Sequence, residues 1–142
     1  MSESSPPTSR LVLWPLVMAL ASLSACASLL APSVFYEDGH GPMAPSDVVT
    51  VFVEDDVEHQ PEDSTVIPNG ATPEGYVVVA QATSQYLDDP EDAVALLRDQ
   101  ARSVGADAIV VTKNRREYRE SIQGAGTRLI ATALYLRRTG AR

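Results

Sequence analysis

The lone cysteine of the chain, Cys26, stands at the end of an uncharged run from Leu11 to Ala25, and that placement limits everything after it. With one thiol in 142 residues no internal disulfide can form, so the folded part must stand on its apolar core alone. Arg10 precedes the run as a positive flank, and small residues (Ser22, Ser24, Ala25) crowd its end. A bilayer span needs about 20 predominantly apolar residues, so a run of 15 is short for an anchor and the right size for the core of a secretory signal. The reading predicts that residues 1–25 are a signal peptide and are removed. That leaves 117 of the 142 residues, enough for one domain and too few for two. An uncleaved membrane helix from Leu11 to Ala31, 21 residues without a charge, is the alternative, and Pro15 and the serines weigh against it.

Leu23-Ser24-Ala25-Cys26 resembles the lipobox of bacterial lipoproteins in residues, position and flanks. The resemblance implies cleavage before Cys26, a thioether-linked diacylglyceryl group on its sulfur, and a further acyl chain, palmitate in type, on the new amino terminus. Membrane lipid is then the first partner, each buried methylene contributing roughly 0.8 kcal/mol to anchoring. Alanine rather than aspartate at position 27 is similar to the sorting signal for the outer membrane, periplasmic side. The outer face of the cytoplasmic membrane is the alternative location.

The net charge of −8 conceals an asymmetry. Between Cys26 and Asp99, 15 acidic residues stand against Arg98 alone, a net of −14. From Gln100 onward nine Lys and Arg oppose Asp107, Glu117 and Glu120, a net of +6. Two readings follow: halves that lie together and neutralise each other, or a basic face for an anionic partner. Hydrophobic content of 44% with only 6% aromatics predicts a small Val/Ala/Leu core with few large anchors.

Residues 26–46 read as the lipidated cysteine and a flexible tether, since Pro32, Gly39, Gly41, Pro42 and Pro45 break regular structure and Glu37, Asp38 and His40 keep it solvated. Twenty such residues would reach about 65–70 Å if stretched. The folded domain is expected over residues 47–138. Val48–Val53 is β-branched and short, a strand. Glu54–Gly75 holds three prolines, two glycines and seven carboxylates and is expected to be a long acidic loop. Tyr76–Thr83 is the second strand. A helix follows, with Asp89 as N-cap, Pro90 at its first position, Glu91 and Asp92 at its positive end, and Gly105 as the C′ residue. Ala93, Leu97, Ala101 and Val104 share its apolar face. Ala108–Thr112 and Thr127–Arg137 are the third and fourth strands, and Gly124-Ala125-Gly126 is the expected hairpin turn, with room for the third strand to run on through Lys113–Gln123. The fold class is therefore α+β in two layers, strand-strand-helix-strand-strand, one helix packed on a four-stranded, mostly antiparallel sheet. Neither face of that sheet is polar throughout, so the face away from the helix is expected to meet a second copy or an envelope partner.

The stretch Leu96-Leu97-Arg98-Asp99-Gln100-Ala101-Arg102-Ser103-Val104-Gly105-Ala106-Asp107-Ala108-Ile109-Val110-Val111, with Gly126-Thr127-Arg128-Leu129-Ile130, is similar to small, largely uncharacterised bacterial lipoproteins that carry a helix running into a Gly-Ala-Asp-Ala-type turn and strand. The envelope-stress-sensing outer-membrane lipoprotein of the Rcs phosphorelay resembles this group there. The likeness covers roughly Tyr76–Leu136 and implies a fold more than a function; the cysteines that staple the sensor's domain have no counterparts in this chain. The turn also has an account of its own: Gly105 for a left-handed cap, Ala106 for close packing, and Asp107 for bonding backbone amides.

Catalytic chemistry finds little to stand on. The histidines are His40 in the tether and His59 in the acidic loop, and neither accompanies a Gly-x-Ser-x-Gly or comparable nucleophile context. The carboxylates of residues 54–63 match neither a calcium loop nor a zinc pair, and no phosphate-cradling glycine loop is present. Lys113, Arg115, Arg116 and Arg119 form the candidate contact for an anion or partner, with glycans and phosphate headgroups rather than nucleic acid expected in this compartment. No enzyme, cofactor or metal is expected. The leading reading is a membrane-anchored, non-enzymatic binding, sensing or structural module of the cell envelope. The alternative is a metal- or small-ligand-binding periplasmic lipoprotein using the acidic 54–63 loop.

Overall fold

The computed structural model describes residues 31–122 and 124–140, so the signal run and the lipid attachment expected at Cys26 lie outside the described residues. In chain order the elements are β1 (Ser33–Tyr36), β2 (Thr50–Glu54), β3 (Thr65–Ile67), β4 (Tyr76–Leu87), α1 (Pro90–Ser103), β5 (Ala108–Ser121) and β6 (Gly124–Arg138). The strands form one six-stranded sheet in the order β1-β4-β6-β5-β2-β3. The α+β class with a single helix among the described residues is as expected; the sheet differs from expectation in having six strands and in being mixed. β1, β4, β6 and β5 pair antiparallel, whereas β2 lies parallel to both β5 and β3.

The two unexpected strands come from segments that look like loops. β1 falls in the expected tether. Its Val34 and Tyr36 pack on the core while Phe35 between them is 72% exposed, a period of two hidden among prolines and glycines. The chain on either side of it is also fastened down: Gln100 Nε2 donates to Pro32 O before it, and after it Met43 N–H donates to Val104 O and Ser46 N–H to Arg102 O. The expected loop 54–75 is ordered around β3. Glu54, 6% exposed, accepts from Gly70 N–H at 2.8 Å, Asp56 accepts from Asn69, and Val57 and Pro61 are buried.

α1 forms where its punctuation sets it. The Asp89 carboxylate accepts from Glu91 N–H at 2.9 Å, and Pro90 takes the first turn. At the other end Ala106 N–H donates to Ala101 O and Gly105 N–H to Arg102 O, the paired bonds of a Schellman cap, with Gly105 at φ +79°. Ala93, Val94, Leu97 and Ala101 are buried against the sheet. Tyr135 is the largest fully buried side chain, and its hydroxyl donates to Leu97 O at 2.9 Å, tying β6 to the helix backbone.

The face away from α1 carries a second, smaller cluster. Ala108, Val110 and Leu136 are fully buried there, packed by Phe52, Ile67, Tyr76, Val78 and Leu134. Phe52 and Tyr76 reach toward each other across β5 and β6, their ring centroids 5.8 Å apart at 72°. The two aromatics from separated strands meet over this cluster, so the chain covers part of this face itself.

Candidate functional site

The basic segment after Val111 becomes the outgoing strand of a long hairpin. β2 pairs with β5 only as far as Val111, and β4 pairs with β6 only as far as Leu87 opposite Leu129. Beyond those points β5 and β6 run on as a two-stranded ribbon to Ser121 and Gly124, with two residues between them. The turn thus precedes the expected Gly124-Ala125-Gly126, whose residues are strand, paired with Ser121, Glu120 and Arg119. Gly126 is used for something else: a Cβ there would lie 2.8 Å from the Arg128 guanidinium, so the missing side chain leaves room for that arginine.

A bulge decides which face is charged. Val111 pairs with Ala133 and Lys113 with Thr132, leaving Thr112 as the extra residue. Val111 faces the helix, and after the bulge Asn114 does so in turn. Asn114 is 2% exposed, its Nδ2 donating to His59 O at 3.2 Å and Pro90 O at 3.1 Å. Lys113, Arg115, Glu117 and Arg119 are consequently placed on the opposite face.

There Glu117 is surrounded by cations. Arg115 donates to Glu117 Oε1 from Nε at 3.0 Å and from Nη2 at 2.9 Å, Lys113 Nζ lies 3.3 Å from the same oxygen, and Arg119 Nη2 lies 3.5 Å from Oε2. Arg115, first, and then Lys113 hold the Glu117 carboxyl below its usual range. Arg128 stands directly opposite Glu117 in register and so shares this face. With four cations and one carboxylate these five side chains carry a net charge of +3. The guanidinium-bearing side chains of Arg115 and Arg119 are 53% and 51% exposed.

Of the four expected contact residues, the fold brings Lys113, Arg115 and Arg119 together and separates Arg116, which lies on the helix side with Nη2 donating to Asp88 O at 2.9 Å. Arg128 was not expected; only strand register could have revealed it. The acidic loop offers no comparable gathering, and among the described residues no group of three or more His, Cys, Asp or Glu is placed to hold a metal ion. Glu54 and Asp56 are engaged in fastening the loop, and Glu58 lies 3.7 Å from His59. A cleft of about 160 Å³ separates this loop (Asp56, Val57, Glu58) from the base of the ribbon (Thr112–Arg115). Among the described residues no helix is long and apolar enough to cross a membrane.

Comparison with protein-family models, with curated proteins and with solved structures finds no match in any of the three.

Proposed function

We propose that this chain is a lipid-anchored lipoprotein of the bacterial envelope whose domain is a non-enzymatic binding module, and that the β5–β6 ribbon takes up an anionic envelope component. The observation that carries the binding site is the ribbon face itself: Lys113, Arg115 and Arg119 around the carboxylate of Glu117, with Arg128 opposite it in register. Exposed guanidinium groups suit phosphate or carboxylate on a glycan or headgroup. Binding to vesicles containing anionic lipid should exceed binding to zwitterionic vesicles, should weaken with salt, and should fall in the Arg115→Gln/Arg119→Gln chain. Equal binding by parent and double variant would remove the site.

The anchor rests on Leu23-Ser24-Ala25-Cys26 and the uncharged run before it. The order in β1 shortens the expected tether, since only six residues separate Cys26 from Ser33. That segment reaches about 25 Å at most, so acyl chains on Cys26 would hold β1 close to the bilayer. Cys26→Ser should move the protein out of the membrane fraction or leave it uncleaved, and mass spectrometry of the mature amino terminus should show a modified Cys26.

The alternative, a metal or small ligand held by residues 54–63, draws its support from the cleft beside Asp56 and Glu58. A rise in melting temperature on adding calcium or zinc would favour it. A partner on the second sheet face would meet the half-buried rim around Phe52 and Tyr76 and the exposed Phe35, not a bare sheet.

A further inference from the structure

The outer edge of β5 is bare along the ribbon. β2 pairs with it only from Ala108 to Val111, and no described strand pairs with it from Arg116 to Ser121. An unpaired edge is a template for another strand unless its side chains forbid the pairing. Here they do not forbid it. The signs run plus, minus, neutral, plus, minus through Arg116, Glu117, Tyr118, Arg119 and Glu120, antisymmetric about Tyr118.

We propose that two copies of the chain associate through this edge, their β5 strands pairing antiparallel about a two-fold axis at Tyr118. In that register Arg116 of each copy stands opposite Glu120 of the other, and Glu117 opposite Arg119, giving four opposite-charge pairs. Residues directly opposite in an antiparallel pair share a face, with Cβ atoms about 4.5–5.5 Å apart, so each pair is in contact. Other registers do worse. An axis at Glu117 sets Arg115 against Arg119 and the two Glu117 carboxylates against each other, and parallel in-register pairing opposes every residue to its own kind.

The ribbon's reach makes the pairing sterically open. β4 and β2 stop short of it, and the antiparallel arrangement places the body of each copy beyond the tip of the other. The result is a four-stranded sheet, β6-β5-β5-β6, with the bare β5 edge of each copy closed and an isologous interface. Tyr118, 66% exposed in the single chain, comes to lie at its centre. Ile122, fully exposed at the tip, falls opposite Asn114 of the second copy, at the mouth of the cleft beside Asp56 and Glu58. The basic faces of the two ribbons become one continuous face. The association stands on its own, independent of any ligand on that face.

A cysteine pair tests it in the full chain. Tyr118→Cys puts the two thiols on the axis, the place on the ribbon where a residue meets its own copy within disulfide reach. Oxidation of membranes from cells making this variant should give a species of twice the mass. The parent chain, with Cys26 alone, and a Thr127→Cys chain, whose residue lies on the outer strand β6, should not. In the Tyr118→Cys background, Glu120→Arg or Arg116→Glu alone opposes like charges across the axis and should cut the cross-linked yield about fivefold to tenfold. Making the two variants together should restore it as a mixed dimer. No cross-link at Tyr118→Cys, or equal yield at Thr127→Cys, overturns the association. Unchanged yield in Glu120→Arg overturns the register, and that variant alone decides it should Arg116→Glu, which also loses its bond to Asp88 O, fail to accumulate.

Discussion

Gly105 carries two constraints at once. Its φ is +79°, and a Cβ added to it would sit 2.6 Å from Ala44 O and 2.9 Å from Met43 Cβ, where the segment after β1 crosses the helix end. Gly70 has a similar φ of +73° with nothing near its missing side chain. Gly70→Ala should therefore cost only the backbone term, about 1–2 kcal/mol, while Gly105→Val adds overpacking and should cost about 3 kcal/mol or more in urea unfolding. Equal losses would mean that the Met43–Ala44 crossing is not tight. Tyr135 offers the second test at this scale. Its hydroxyl is fully buried and donates to Leu97 O, and burial, with the nearby Tyr36 adding to it, pushes its ionisation upward. Tyr135→Phe should cost about 1 kcal/mol at neutral pH. Because the raised group keeps its proton in the folded chain while the unfolded chain loses one near pH 10, the parent is most stabilised below pH 10 and loses that contribution as pH rises. The phenylalanine variant should lose less stability on going from pH 9 to pH 11.

The element that most alters the chemistry is the bulge at Thr112. Strand residues alternate faces, so one extra residue exchanges the two faces of everything beyond it. Deleting Thr112 would leave a regular ladder, Val111 opposite Ala133 and Lys113 opposite Thr132 as now, with Asn114 still toward α1 and Lys113, Arg115 and Glu117 still away from it. Such a chain should keep its basic face and its binding to anionic vesicles, because no charge changes sides. Glu117→Gln is the contrasting change. It breaks surface ion pairs and should cost under about 1 kcal/mol, while removing the carboxylate that Lys113, Arg115 and Arg119 share and strengthening binding to anionic vesicles. Loss of vesicle binding on deleting Thr112 would argue against the face assignment.

At the scale of the whole molecule, the segment before β2 belongs to the domain. β1 covers the edge of β4 in register from Ser33 opposite Thr83 to Tyr36 opposite Ala80, and Val34 and Tyr36 complete the core beneath it. A chain shortened to begin at Ala44 should have a lower melting temperature than one beginning at Ala31 and should aggregate more readily, since β4 becomes an uncovered edge. Indistinguishable melting would show β1 to be an ornament of the sheet. The charge asymmetry also resolves locally: Lys113, Arg115 and Arg119 answer to Glu117 on their own strand, not to the acidic residues of 54–63.

What the sequence by itself determined was local. The helix was legible to the residue at both ends, because capping by Asp89 and Pro90 and the left-handed Gly105 act over a few bonds of chain. The strands after it were legible because their β-branched runs need no partner to be recognised, and Lys113, Arg115 and Arg119 stood out by charge alone. The tertiary structure decided everything that depends on register. β1 and β3 are too short to announce themselves beside prolines and carboxylates, and exist because β4 and β2 offer them open edges. The parallel placement of β2 beside β5, the meeting of Phe52 with Tyr76, the bulge at Thr112 and the arrival of Arg128 opposite Glu117 are all long-range pairings. No local preference encodes them, since the free energy that fixes them is gained only when distant strands have already come together.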